Sequence, residues 1–244
     1  MNIGIIGAGN IGATLAAKLS ACGHSVRLAN SRGPETIAEV ARKAGATAVT
    51  REEAVKGADA VILSTPFTAH QGLAELLKIV PASVPVIDTS NYYPFRDDAI
   101  PALAQGKPES VWASEQAGRP LIKAWNAVLA ATLADKGMPV GVTERIAIPV
   151  AGDDETAKRI AMALVSDTGF DAVDAGSLAE SWRQQPGTPA YCTELSAAAL
   201  KKALLAADKE RAPVNREALL KEFMSASEPL THEHIVARNR AVTA

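Results

Sequence analysis

The chain has few aromatic side chains, 4% of 244 residues, only two cysteines and only four histidines. Cys22 and Cys192 stand far apart with no metal-like spacing, which argues against a disulfide framework or a zinc module and leaves two buried, reduced thiols as the expectation. His232 and His234 fall on different faces of an expected helix with no cysteine nearby, so no metal site is expected. Neither sign of charge dominates: 27 acidic residues against 25 basic ones, a net charge of −2 and a pI near 6.1 give no basic face for nucleic acid. No apolar run reaches the roughly 18 to 20 residues that span a bilayer, and strand residues begin at Asn2 without a charged leader. A soluble, cytoplasmic protein without a membrane partner is expected.

What the chain does have is aliphatic bulk. It is 48% hydrophobic, dominated by Ala, Val, Ile and Leu, which suits a parallel sheet covered on both faces. Short apolar runs at 2–6, 25–29, 46–49, 60–65, 84–88, 121–125, 145–150 and 171–175 read as strands. Helical patterns separate many of them, among them 10–22, 34–43, 68–80 and 155–165, and Thr50 with Glu53 forms a capping box. After Leu178 only helices follow, over 193–208, 214–227 and 231–240. The expected architecture is α/β: a Rossmann-type, doubly wound, mostly parallel sheet over 1–176, then a small helical domain over 177–244.

The first strand runs into Gly7, Ala8, Gly9, Asn10, Ile11 and Gly12, a G-x-G-x-x-G loop that opens a helix. Such glycines permit a tight turn, let backbone approach a pyrophosphate and pack helix against strand, while the helix amides face the anion. At the end of the second strand an acid normally accepts the ribose hydroxyls of the adenosine. Here 30-NSR-32 takes its place. Asn30, Ser31 and Arg32 remove the charge that would repel a 2′-phosphate, and a guanidinium pairs well with one. The expected cofactor is NADP(H), not NAD(H). Farther along, Thr65, Pro66 and Asn91 end consecutive strands at the edge where open α/β sheets bind ligands. Lys123, Trp125 and Asn126 end the next strand, with alternation placing Lys123 and Trp125 on one face and Asn126 on the other.

The set 4-GIIGAGNIG-12, 30-NSRG-33, 64-STPF-67, 121-LIKAWNAV-128, 150-VAGDD-154 and 173-VDAGSL-178 resembles the F420-dependent NADP oxidoreductases, over roughly residues 1–178. The cytosolic reductase domain of the six-transmembrane ferric reductases shares the likeness. The resemblance implies hydride transfer between NADP(H) and a second ring, the deazaflavin F420 or a flavin. By the same resemblance Gly7–Ile11 hold the pyrophosphate, and Ser31 and Arg32 the 2′-phosphate. Phe67 and His70 lie near the redox partner, and Asn126 lies beside the nicotinamide. The family often carries a further basic residue where this chain has Thr36. Transfer between rings needs stacking and alignment more than an acid or base, so the lack of a catalytic dyad fits; His70 and Asn126 are the only candidates.

Segment 182-WRQQPGTPAY-191 joins the two expected domains, and Trp182, Arg183 and Tyr191 are candidates to meet the acceptor. Apolar positions in the last helices, Leu200, Leu204, Leu205, Leu219, Leu220 and Phe223, suggest a homodimer. Two other readings stay open: a β-hydroxyacid dehydrogenase with Lys123 as acid/base, and an NADPH-binding sensor without catalysis.

Overall fold

The computed structural model describes residues 1–243. Strands β1 (Asn2–Ile6), β2 (Ser25–Ala29), β3 (Thr47–Ala48), β4 (Ala60–Leu63), β5 (Val86–Asp88) and β6 (Ile122–Lys123) form one parallel sheet in the order β3-β2-β1-β4-β5-β6. Strand order reverses at β1, which is flanked by β2 and β4. The carboxyl ends of β1 and β4 therefore open the crevice where such sheets take ligands. Strands β7 (Ala147–Val150) and β8 (Asp171–Asp174) pair parallel with each other, and an antiparallel bridge between Lys123 and Ala151 joins them to β6.

Between the strands lie α1 (Asn10–Ala21), α2 (Ala38–Lys43), α3 (Arg51–Val55), α4 (His70–Leu77), α5 (Pro94–Asp97), α6 (Pro101–Ala104), α7 (Glu109–Ala117), α8 (Ala130–Asp135) and α9 (Glu155–Asp167). After β8 come α10 (Ala197–Ala206), α11 (Arg211–Met224) and α12 (His232–Thr243). One face of the sheet packs Ile3, Ile5, Leu28, Ile62 and Ile87 under α1 and α9; the other packs Ile6, Val61, Leu63 and Val86 under α4 and α7. Each such side chain is worth about 1.5–3 kcal/mol when taken from water. The capping box of α3 is present, with Thr50 and Glu53 bonding each other's backbone. No helix among the described residues is long and apolar enough to cross a membrane.

Several expectations shift, each for a local reason. The helix over 34–43 is broken into a 3-10 turn, Pro34–Ile37, and α2. The helix over 193–208 starts only at Ala197, because Cys192 and Glu194 take positive φ (55° and 49°) and Glu194 is held by Thr132 and His232. Helix α11 starts earlier than 214, since Pro213 sits in its first turn, where a missing amide costs nothing. Cys22 is exposed, not buried, for it caps α1 at the surface; Cys192 is buried. Trp125 does not share a face with Lys123: β6 ends at Lys123 and Trp125 has φ 57°, which turns its ring into the core of the opposite face. The helical region after residue 176 shares its core with the sheet region, because Leu200, Ala203 and Leu204 of α10 pack on Ala147 and Val173.

Glycine spacing at β1 makes a test of the packing. A Cβ on Gly12 would collide with the Gly7 carbonyl, whereas one on Gly9 meets nothing within 4 Å. Gly12→Ala should lose about 1–3 kcal/mol of stability, the usual cost of overpacking, and Gly9→Ala far less, in equilibrium urea unfolding. Equal midpoints would show that the loop relaxes freely.

Candidate functional site

The site begins where β1 ends. Gly7 turns with φ 112°, and its amide bonds the carbonyl of Ala29 at 2.8 Å, tying the loop to the end of β2. Helix α1 then starts at Asn10 with Gly9 as its N-cap, no side-chain cap and no acid in its first turn. Its free amides therefore face the open space over Gly9, which is what an anion such as a pyrophosphate requires. Ala8 and Ile11 pack their side chains partly against the core beneath, while Asn10 is exposed.

At the end of β2 the three residues divide their work. The Asn30 amide donates to Thr36 Oγ1 at 2.8 Å, and its carbonyl accepts from the Arg32 amide at 3.0 Å. Thr36 in turn donates to the Gly33 carbonyl at 2.8 Å. Asn30 thus shapes the loop, and one of its two amide N–H donors is committed to Thr36. Thr36, standing where the resemblance offers a basic residue, is part of the same turn. Ser31 and Arg32 are exposed, and no ion pair among the described residues involves the Arg32 guanidinium.

The other end of the crevice lies over β4, β5 and β6. Thr65 and Ser90 each carry a buried hydroxyl without a partner among the described residues, and Pro66 is exposed. Asn91 and Asn126 are joined twice: Asn126 Nδ2 to Asn91 Oδ1 at 3.0 Å, and Asn91 Nδ2 to the Asn126 carbonyl at 2.9 Å. Gln184 locks Asn126 from behind, donating to its Oδ1 at 2.9 Å while its own carbonyl accepts from Asn126 Nδ2 at 2.9 Å. Tyr191 Oη lies 3.3 Å from Asn91 Nδ2 and 2.8 Å from Tyr93 Oη. Burial raises the pKa of both phenols, so they stay protonated and serve as hydrogen-bonding groups.

Beneath this edge three titratable side chains are wholly enclosed. Asp88 Oδ2 accepts from Lys123 Nζ at 2.6 Å, and Asp88 Oδ1 lies 3.2 Å from His70 Nε2. Burial alone would raise the Asp88 carboxyl, but Lys123 and His70 outweigh it and hold it well below the usual carboxylate range. Burial would likewise lower the His70 pKa, yet its attraction and hydrogen bond to Asp88 leave it raised. The other His70 nitrogen lies 2.6 Å from the Phe67 carbonyl. Phe67 is fully buried and stacks on Trp112 with ring centres 5.0 Å apart. As built, neither Phe67, His70 nor Lys123 has a face to offer a ligand. A substrate cannot reach the Lys123 ammonium, which weighs against its use as an acid/base.

Two cavities flank segment 182–191. One, of about 340 Å³, is bordered by Tyr92, Ile100, Glu109, Trp182, Gln185 and Lys209. The other, of about 230 Å³, is apolar and bordered by Tyr93, Tyr191, Leu219, Leu220, Phe223 and Ile235. Trp182 and Tyr191 therefore serve different cavities, and only the second adjoins the Asn91–Asn126 pair through its tyrosines. Arg183 borders neither: it bonds Glu180 and the Leu204 carbonyl and lies 4.5 Å over the Trp182 ring. Sequence reasoning missed Glu109, Gln184 and Tyr93. Gln184 and Tyr93 lie beside singled-out residues, but nothing local marks Glu109, whose place is set by how α7 packs.

Residues 2–92 match the family described as NADP oxidoreductase, coenzyme F420-dependent. The protein YjhV of Escherichia coli (strain K12) is 44% identical over 105 residues, which cover 43% of this chain and 77% of that one. The structure of a hypothetical protein, SMa0349 from Sinorhizobium meliloti, is 32% identical, with a TM-score of 0.68 over 80% of this chain and 95% of that one. A protein from Arthrobacter sp. FB24, described as a candidate F420-dependent NADP-reductase, shares the fold at 19% identity, with a TM-score of 0.59 over 92% of this chain and 94% of that one.

Glu109 supplies a pH test. Burial pushes its carboxyl up to about 7 from an ordinary 4.5, against the opposing pull of Lys123 and the Tyr92 amide. Its folded pKa exceeds its unfolded one, so the stability tied to its neutral form is complete below 4.5 and is lost as pH rises through about 7. The loss is on the order of 3 kcal/mol. Glu109→Gln cannot ionise and should match the wild type near pH 4.5 but outlast it at pH 8 in chemical denaturation. A difference that does not vary with pH would refute the assignment.

Proposed function

The chain belongs, through residues 2–92, to the family of coenzyme F420-dependent NADP oxidoreductases, and we propose that it moves a hydride between NADP(H) and a planar acceptor of the deazaflavin or flavin type. One observation carries the reading: the uncapped amino end of α1 and the unpaired Arg32 share a sheet edge with the locked Asn91–Asn126 pair. That edge offers separate places for a pyrophosphate, a 2′-phosphate and a nicotinamide carboxamide. Gly7–Gly12 hold the pyrophosphate on backbone amides, Ser31 and Arg32 pair with the 2′-phosphate, and the hydroxyl of Thr65 with the side-chain oxygens of Asn91 and Asn126, whose N–H groups are already engaged, meets the nicotinamide carboxamide.

When bound, NADPH supplies the hydride. The chain's part is to align donor and acceptor and to keep water from between them. The apolar cavity beside Tyr93 and Tyr191 is the acceptor's place, since its tyrosine end is bonded into the Asn91–Asn126 pair. Its far wall, α11 and α12, carries Leu219, Leu220, Phe223 and Ile235. Leu205, Val214 and Met224 nearby are 80%, 68% and 71% exposed and give a second copy of the chain an apolar surface to cover.

Three measurements test this. Arg32→Ala should weaken NADPH by about 1.5–3 kcal/mol, the worth of a hydrogen bond to a charged group, and leave NADH nearly unchanged in calorimetric titration. Equal losses would remove Arg32 from the 2′-phosphate site. NADPH oxidation assayed side by side with F420, FMN, a ferric chelate and hydroxy acids should proceed with the planar rings; turnover with none of them would favour a non-catalytic binder. Sedimentation at micromolar concentration should give a dimer, and a monomer there would disprove the pairing.

A further inference from the structure

The backbone polar groups that lead the chain through Asn91 are gripped by four charged side chains, Asp88, Lys123, Arg96 and Asp97, and by the buried carboxyl of Glu109. Asp88 Oδ1 accepts from the Ser90 amide at 3.0 Å, and Lys123 Nζ donates to the Ser90 carbonyl. Arg96 donates to the Asn91 carbonyl at 2.7 Å. Glu109 Oε2 accepts from the Tyr92 amide at 3.1 Å, and Asp97 Oδ2 from the Tyr93 amide at 2.9 Å. The grips are themselves coupled, since Lys123 pairs with Asp88 at 2.6 Å and Arg96 with Asp97 at 2.6 Å. Asp88, Lys123, Asp97 and Glu109 are all at most 5% exposed.

This is far more than a surface turn needs. A turn exposed to water satisfies its amides and carbonyls with solvent, and burying charges is costly unless they are paired and hydrogen-bonded. Here the charges are spent on a stretch of four residues, Ser90 to Tyr93, whose one side chain aimed at Asn126 is Asn91. Charge-assisted bonds are stiffer and about twice as strong as neutral ones, so the loop's freedom to shift is small. We infer that Asp88, Lys123, Arg96, Asp97 and Glu109 are positioning residues that fix Asn91, and through it Asn126, at the distance a nicotinamide carboxamide needs. Lys123 then acts on the reaction through the Ser90 carbonyl and not by exchanging a proton with substrate.

The inference rests on the cofactor reading above, and the test keeps the two apart. The probes are 2′,5′-ADP, which occupies only the adenosine end, and NADPH, which occupies both. Arg96→Ala removes a side chain that is 47% exposed but pairs with the buried Asp97, so urea unfolding of the variant is measured first to establish that it folds. It and Glu109→Ala should leave the 2′,5′-ADP dissociation constant within about twofold. They should raise that of NADPH about five- to tenfold, the equivalent of one lost hydrogen bond, and lower the fluorescence anisotropy of NADPH bound at saturation. Glu109→Gln, which keeps an acceptor for the Tyr92 amide, should restore both readings at pH 7. Loss of both ligands alike, loss of neither, or failure of the Gln variant to rescue would overturn the positioning role. A wild-type protein that binds 2′,5′-ADP and NADPH equally would overturn it too, because the nicotinamide would then make no contact to position. Absence of all binding by the wild type would defeat the cofactor reading itself.

Discussion

Asp88 and Lys123 are taken wholly out of water at the ends of two adjacent strands, and the functional edge of the sheet is arranged around that pair. In-register parallel pairing sets the two side chains on the same face. A buried ion pair costs several kcal/mol in lost hydration and is kept only where the remaining bonding capacity is filled. Here it is filled by His70 and by the amide and carbonyl of Ser90. The pair therefore adds little net stability but strongly disfavours other arrangements of β5, β6 and the loop above them, because any slip would leave a charge alone in the core. Phe67, Trp112 and Tyr92 pack around it and keep it dry.

A second consequence concerns how the last third of the chain is held. Asn126 is bonded to Gln184, and Arg240 of α12 donates to the Thr193 and Glu194 carbonyls. Those carbonyls belong to a turn with two positive-φ residues, a conformation that costs energy unless its surroundings fix it. Thr132 of α8 and His232 of α12 both bond the Glu194 carboxylate, at 2.6 Å each. The helices after β8 are thus keyed to the sheet by polar contacts at the site as well as by the α10 core.

What could be read in the sequence follows from how locally each feature is encoded. The strand–glycine–helix unit is written in ten consecutive residues, and the strands of the parallel sheet are written as apolar runs, so the fold and the Gly7–Gly12 loop were legible. The charge change at Asn30–Arg32 was legible too, though the commitment of Asn30 to Thr36 was not, since it depends on the loop's own closure. Strand alternation failed at Trp125 because β6 ends two residues before it and the backbone turns left-handed there. Phe67 and His70 belong to a motif, but a motif does not say whether a side chain faces the crevice or the core. Glu109 gave no signal whatever, for its neighbours Tyr92 and Lys123 come from distant segments that only the fold brings together.

The two ends of the crevice are built on opposite principles, and the hydride transfer proposed above would account for the contrast. At the glycine loop and Arg32 the protein offers bare amides and a free guanidinium to solvent, a cheap way to attract an anion that carries its own charge. A nicotinamide is far less strongly attracted by such groups, and transfer of its hydride depends on a few tenths of an ångström in distance and on ring alignment. Precision there has to come from the protein, and the means available is to immobilise short polar side chains on a backbone that cannot move. On the proposed reading that is the task of Asn91 and Asn126, cross-bonded and backed by Gln184 on one side and by buried charge on the other. Asp88, Lys123, Asp97 and Glu109 lie close by, yet each is turned inward to hold backbone, an arrangement that suits a reaction limited by geometry and not by proton transfer from the protein.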